Sequence, residues 1–270
     1  MSYPCLSLCG IPWLPEPKRI KTQSYLKRIK KAQLKLVSTQ NKLIGLEFVP
    51  IIRSKRLPIK NKHHLQIKEI KRQENLEAAL VWVNERMKAK RPLKQSDLLK
   101  MHSLISNSKR STFRKEFIYL KDFKGNKLAN FPHPQHLSEL MTEFWTWTNK
   151  MGRLSALIRA IGAHFLLANI HPFQDGNGRI ARLFEYYEIA RKSPKSSAYF
   201  SFEFIHYWSF NEYSHAIQTS LKTCSMAPFI DYCLEQQTLF LEDLVRKNYR
   251  SSRCVRKTKK SPMTSASMAT

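Results

Sequence analysis

From about residue 70 to residue 245, apolar side chains return every three or four positions, the period of one buried helix face. Leu76, Leu80 and Val83 carry that period through residues 73–90. Leu99, Met101, His102 and Ile105 mark a shorter helix that Ser96 is placed to cap. Leu137, Leu140, Met141, Phe144 and Trp145 fall on one stripe of residues 135–149. Residues 154–169 are almost wholly apolar, with Leu157, Ile158, Ile161, Phe165 and Leu166, which predicts a helix buried on all sides. A further helix is expected from about Gly178 to Arg191. Between the second and third helices, Glu116–Pro132 contains FIYLKDFKGNKLANF, two aromatic-flanked arms around a Lys-Gly-Asn turn. That pattern predicts a β-hairpin in an otherwise mainly α fold.

Both ends depart from this periodicity. Fourteen Lys or Arg against one acid, Glu47, lie between Lys18 and Lys62, and eight against none lie between Arg246 and Lys260. The expected organisation is a basic N-terminal helical region over 1–70, a catalytic domain over 93–240, and a basic, disordered tail over 246–270. The whole chain of 270 residues carries a formal charge of +27, which favours adhesion to nucleic acid or another anionic surface but specifies no chemistry. No apolar run approaches the ~18 residues needed to span a bilayer. Met1–Leu14 has no basic start and is broken by Pro4 and Pro12, so no signal peptide is expected. The expected location is the cytoplasm, or a host cell reached without a signal peptide. Cys5, Cys9, Cys224, Cys233 and Cys254 include no CxxC pair and read as free thiols.

The chemistry concentrates in HPFQDGNGRIAR, residues 171–182. Gly176, Asn177 and Gly178 supply a turn whose backbone N–H groups can face an anion, and the helix that follows adds its positive end. Arg179 and Arg182 are three apart on that helix, where two guanidinium groups can hold phosphate oxygens. Asp175 is a hard oxygen donor suited to Mg2+ on a polyphosphate. His171 lies four residues earlier, where a general base can face the same phosphate. Together these residues predict a phosphoryl or nucleotidyl transfer site.

This segment matches HPFx[DE]GNGRxxR, the signature of the Fic/Doc (Fido) family, without departure. KRPLKQSDLLKMHSLI, FPHPQHLSELMTEFWTWTN, AIGAHFLLANI and FNEYSHAIQTSLKTCSMAPFIDYCLE resemble other stretches of the family, so the resemblance covers about residues 93–240. It implies a Fic-type helical bundle with a small β-hairpin flap, and a protein adenylyltransferase that moves AMP from ATP to a Tyr, Thr or Ser hydroxyl of a target protein, itself included. His171 would be the base, Asp175 the Mg2+ ligand, and Gly176, Asn177 and Gly178 the anion hole. Arg179 and Arg182 would hold the outer phosphates, and Phe173 would anchor the loop. Tyr213 would lie near the adenine, and Asn130 and Phe131 would end a flap that aligns the target by strand addition. Family members using UMP or phosphocholine leave a second donor open, and a basic nucleic-acid-binding protein without turnover is the rival from another class. Many members carry an inhibitory [ST]xxxE[GN] helix. Here Glu74-Asn75 follows Ile70 rather than Ser or Thr. Ser111-Thr112-Phe113-Arg114 lacks the glycine that usually precedes the aromatic–Arg pair.

Overall fold

The computed structural model describes residues 63–121, 127–150, 156–191 and 210–258, with Lys27, Lys30 and Lys31 as exposed helical residues. Most of the expected N-terminal region thus lies outside the described residues. Helix α1 spans His63–Met87 and α2 spans Gln95–Ser106. Strands β1 (Tyr119–Lys121) and β2 (Lys127–Asn130) pair antiparallel, Tyr119 opposite Asn130, with an irregularity between Leu120 and Lys121. These paired strands fall within the segment expected to form the hairpin, whose turn lies outside the described residues. A 3₁₀ turn at Pro134–His136 leads into α3, Leu137–Lys150. Helices α4 (Ala156–Ile170), α5 (Asn177–Ala190), α6 (Phe210–Lys222) and α7 (Ala227–Thr258) complete the order.

The central element is α4. All its residues but Ala156 and Ala168 are buried, as its almost wholly apolar sequence predicts. It packs most extensively on α5, and on α3 and α7 as well. Gly162 explains how closely α3 approaches: a Cβ there would meet Trp147 Cζ2 at 2.8 Å. Helix α1 crosses the outside, burying Leu76, Ala79 and Val83 against α2 and α5. Polar groups join the same core. Glu188 of α5 receives Arg159 Nε at 2.7 Å and Arg191 Nε at 2.9 Å, three charges paired out of water. Tyr187 donates to the Arg91 carbonyl at 2.6 Å and fixes the lead-in to α2.

Three local expectations are corrected. The residue that caps α2 is Lys94, whose backbone N–H donates to Asp97 Oδ2 at 2.9 Å; Ser96 lies inside the helix. Asp97 wins because a carboxylate in the first turn also pairs with Arg86 at 2.6 Å and complements the helix dipole. Helix α7 continues to Thr258, so residues 246–258 are helical, while the rest of the expected tail, 259–270, lies outside the described residues. Lys and Arg are good helix formers, and at a C-terminus their charge is favourable. Cys233 is a free, buried thiol, whereas Cys224 is disulfide-bonded rather than free.

Candidate active site

The site is the six-residue loop between α4 and α5. Helix α4 ends because His171 turns into the left-handed region at φ +52°, with its N–H still bonded to the Leu167 carbonyl at 3.1 Å. The imidazole Nδ1 lies 3.0 Å from the Ala168 carbonyl. A carbonyl only accepts, so Nδ1 carries the proton and Nε2 the lone pair. Burial is the main cause that depresses the His171 pKa to about 4; nearby Arg114 depresses it further, while the Ala168 bond and Asp175 oppose the shift. The ring is neutral at pH 7, as a base must be before it acts.

The loop is held from within and from outside. Phe173 is fully buried, stacked on His102 with centroids 3.8 Å apart and planes 4° from parallel. Burying such a ring is worth about 1.5–3 kcal/mol, enough to fix the loop's course. Asn177 closes a reciprocal pair with the Phe173 backbone, accepting its N–H at 2.8 Å and donating to its carbonyl at 2.7 Å. His102 Nε2 donates to the Asp175 carbonyl at 3.0 Å, which leaves Nδ1 to accept from Ser111 Oγ at 2.6 Å.

Gly176 caps α5 at φ +82°, a conformation suited to glycine, and its N–H donates to Asp175 Oδ1 at 2.6 Å. The side chain of Asn177 is thus committed to the loop, so what it can offer an anion is its backbone N–H. Gly178 brings Arg182 close to the backbone; a Cβ there would meet Arg182 Nη1 at 3.3 Å. Arg179 reaches back, with Nη1 3.5 Å from the Ile105 carbonyl and Nη2 3.6 Å from Asp175 Oδ2. The Asp175 side chain is 77% exposed, with Oδ2 turned outward. One outward hard oxygen beside an anion seat fits Mg2+, which takes few carboxylates and keeps several waters.

Arg114 is the functional residue that sequence reasoning passes over. It is buried; Nε donates to the His171 carbonyl at 2.8 Å, Nη1 to Glu116 at 3.0 Å, and Nη2 to Pro132. It therefore ties the base to both ends of the hairpin. The available signal is the aromatic–Arg pair Phe113-Arg114 ahead of a predicted hairpin, obscured by the missing glycine. On the same side Phe131 stacks on His171 with centroids 3.7 Å apart, and Asn130 ends β2.

Tyr213 lies apart from this loop, in the core behind Arg182. Its hydroxyl is 3.1 Å from His164 Nε2, while His164 Nδ1 is 2.8 Å from Glu185 Oε2. Burial pushes the Tyr213 phenol up, so it stays neutral. Glu74 is exposed on α1, half a turn from the face that carries Leu76, and among the described residues it forms no ion pair with Arg182.

This loop falls within a stretch, residues 92–188, that matches the Fic/DOC family. Over that stretch the chain is similar to the Fic/DOC family. Members of the family are transferases that modify protein targets. Relatives named protein adenylyltransferase Fic include those of Culex quinquefasciatus, 34% identical over 111 residues, and Drosophila melanogaster, 30% identical over 114 residues. Each match takes in 40% of this chain and 22% of the relative's length. Among solved structures, a Fic family protein from Desulfovibrio desulfuricans G20 superposes with a TM-score of 0.66 at 18% identity, over 89% of this chain and 78% of that one. Fic-1 from C. elegans (residues 134–508, E274G) does so at 0.59 and 17%, over 85% and 73%. These superpositions bear on the fold, which is the Fic-type helical bundle.

Proposed function

We propose that the protein is an adenylyltransferase that moves AMP from ATP to a hydroxyl side chain of a protein. The observation that carries this reading is the His171 imidazole, held by the Ala168 carbonyl with its Nε2 lone pair free of that bond, at the mouth of an anion seat made by the start of α5. His171 Nε2 takes the proton of the target's Ser, Thr or Tyr hydroxyl. The oxygen attacks the α-phosphorus, the bond from that phosphorus to the bridging oxygen breaks, and pyrophosphate leaves. The backbone N–H groups of Asn177 and Gly178 face the phosphates, and Arg179 and Arg182 hold the outer ones. Asp175 would hold Mg2+, which when bound neutralises phosphate charge. Arg114 keeps the His171 carbonyl, and with it the base, in place. The hairpin, whose exit is tied to the loop through Arg114 and Phe131, offers an edge on which an extended target segment can pair.

The test is peptide mapping by mass spectrometry after the protein is incubated with ATP, Mg2+ and a cell lysate. One adenylyl group on Ser, Thr or Tyr of a target, or of the protein itself, is the expected adduct. A uridylyl adduct formed from UTP in preference would move the donor to another nucleotide.

A further inference from the structure

A third arginine reaches the anion seat from outside the loop and the helix that build it. Arg72 of α1 places Nη2 3.8 Å from Asp175 Oδ2, the oxygen that Arg179 Nη2 approaches to 3.6 Å. One outward carboxylate oxygen therefore lies between two guanidinium groups, one carried by α1 and one by α5. The Arg72 side chain is 42% exposed, so an incoming ligand can reach it.

The rest of α1 positions this side chain. Arg72, Asn75, Leu76 and Ala79 share one face at spacings of three and four. Leu76 and Ala79 are fully buried, and Asn75 Nδ2 donates to the Ile105 carbonyl at 3.3 Å. That carbonyl also takes Arg179 Nη1 at 3.5 Å, so α1 and the phosphate-holding helix are fastened to one atom of α2. Glu74, two residues on and about 200° round the helix, points to solvent. The face α1 turns to the site thus carries a cation.

We propose that Arg72 is a ligand for the polyphosphate of the nucleotide, acting with Arg179 on the phosphates that leave. The inference rests on the nucleotide reading above. An exposed ion pair at 3.8 Å adds little to stability, so the Asp175 contact by itself is a weak structural reason for this arginine. Guanidinium groups flanking one position suit the several oxygens of a di- or triphosphate, where each can offer two parallel N–H groups. Asp175 Oδ2 lies at that position in this structure.

The experiment is calorimetric titration of the full chain and of Arg72→Ala and Arg72→Lys with ATP, inorganic pyrophosphate and AMP, beside the KM for ATP and kcat of labelling. Expected for Arg72→Ala is about tenfold weaker binding of ATP and of pyrophosphate, unchanged binding of AMP, and a raised KM. Arg72→Lys should recover part of the loss, and both variants should melt within a few degrees of the parent. Unchanged ATP and pyrophosphate affinity in Arg72→Ala would overturn the assignment. A rise in labelling would overturn it in the other direction, making Arg72 a latch on Asp175. A parent chain that binds pyrophosphate but not ATP removes the nucleotide reading, while the pyrophosphate titrations still decide the role of Arg72.

Discussion

At the scale of single residues, His171 and Asp175 show how burial divides roles between neighbours in one loop. His171 is enclosed by Phe131 and its own helix end, and burial keeps it neutral; Asp175 stands out in solvent. Substituting His171 by Ala removes the proton acceptor without touching a phosphate contact. It should cost roughly 10²–10⁴-fold in transfer and leave ATP affinity near the parent's, measured by labelling rate and calorimetry. The pH dependence follows from the depressed pKa. His171 in the free protein takes its proton only near pH 4, so kcat/KM should not fall between pH 7 and 5.5 through this group. A loss of activity with a midpoint near 6.5 that vanishes in no other variant would place the base in open solvent. The linkage has the matching sign: the unfolded histidine binds its proton near 6.5 and the folded one near 4, so its burial costs stability progressively as pH falls through that window. His171→Gln should melt with a shallower pH dependence than the parent between pH 6.5 and 4.5.

Among elements, two junctions decide whether the loop keeps its shape. Arg114 joins the base to the hairpin with three bonds to carbonyls, each worth about 1.5–3 kcal/mol for a charged donor. Arg114→Ala leaves those carbonyls short of a donor and should lower both melting temperature and kcat. Loss of kcat without loss of stability would show that it positions the base alone. Gly162→Ala drives a methyl into Trp147, where α3 crosses α4, and should destabilise by about 1–3 kcal/mol in a urea titration. The helices themselves were legible from periodicity, because α4 is apolar on every side and α3 on one. The reactive loop was legible because its residues are consecutive. Arg114, His102 and Arg72 were not, since each acts across 57 residues or more, and spacing along the chain carries no signal for such pairs. The helical course of residues 246–258 is hard to read for a different reason: a basic, polar sequence has weak hydrophobic patterning but strong helix propensity.

Over the whole molecule, charge and chemistry are separate. The two basic arms hold fourteen and eight of the 47 Lys and Arg residues, while HPFQDGNGRIAR holds two. Retention on an anionic resin should therefore fall steeply with added salt, as screening shortens to ~8 Å at physiological ionic strength, and labelling should follow it much less closely. The central claim is that the group transferred is AMP, and paired isotopes test it most directly. The purified protein and His171→Ala would each be incubated with Mg2+, lysate and ATP labelled at either the α- or the γ-phosphate, and protein-bound label counted. Label from the α-position alone, absent in His171→Ala, is the predicted result. Label from the γ-position, or α-label that persists in His171→Ala, would contradict it.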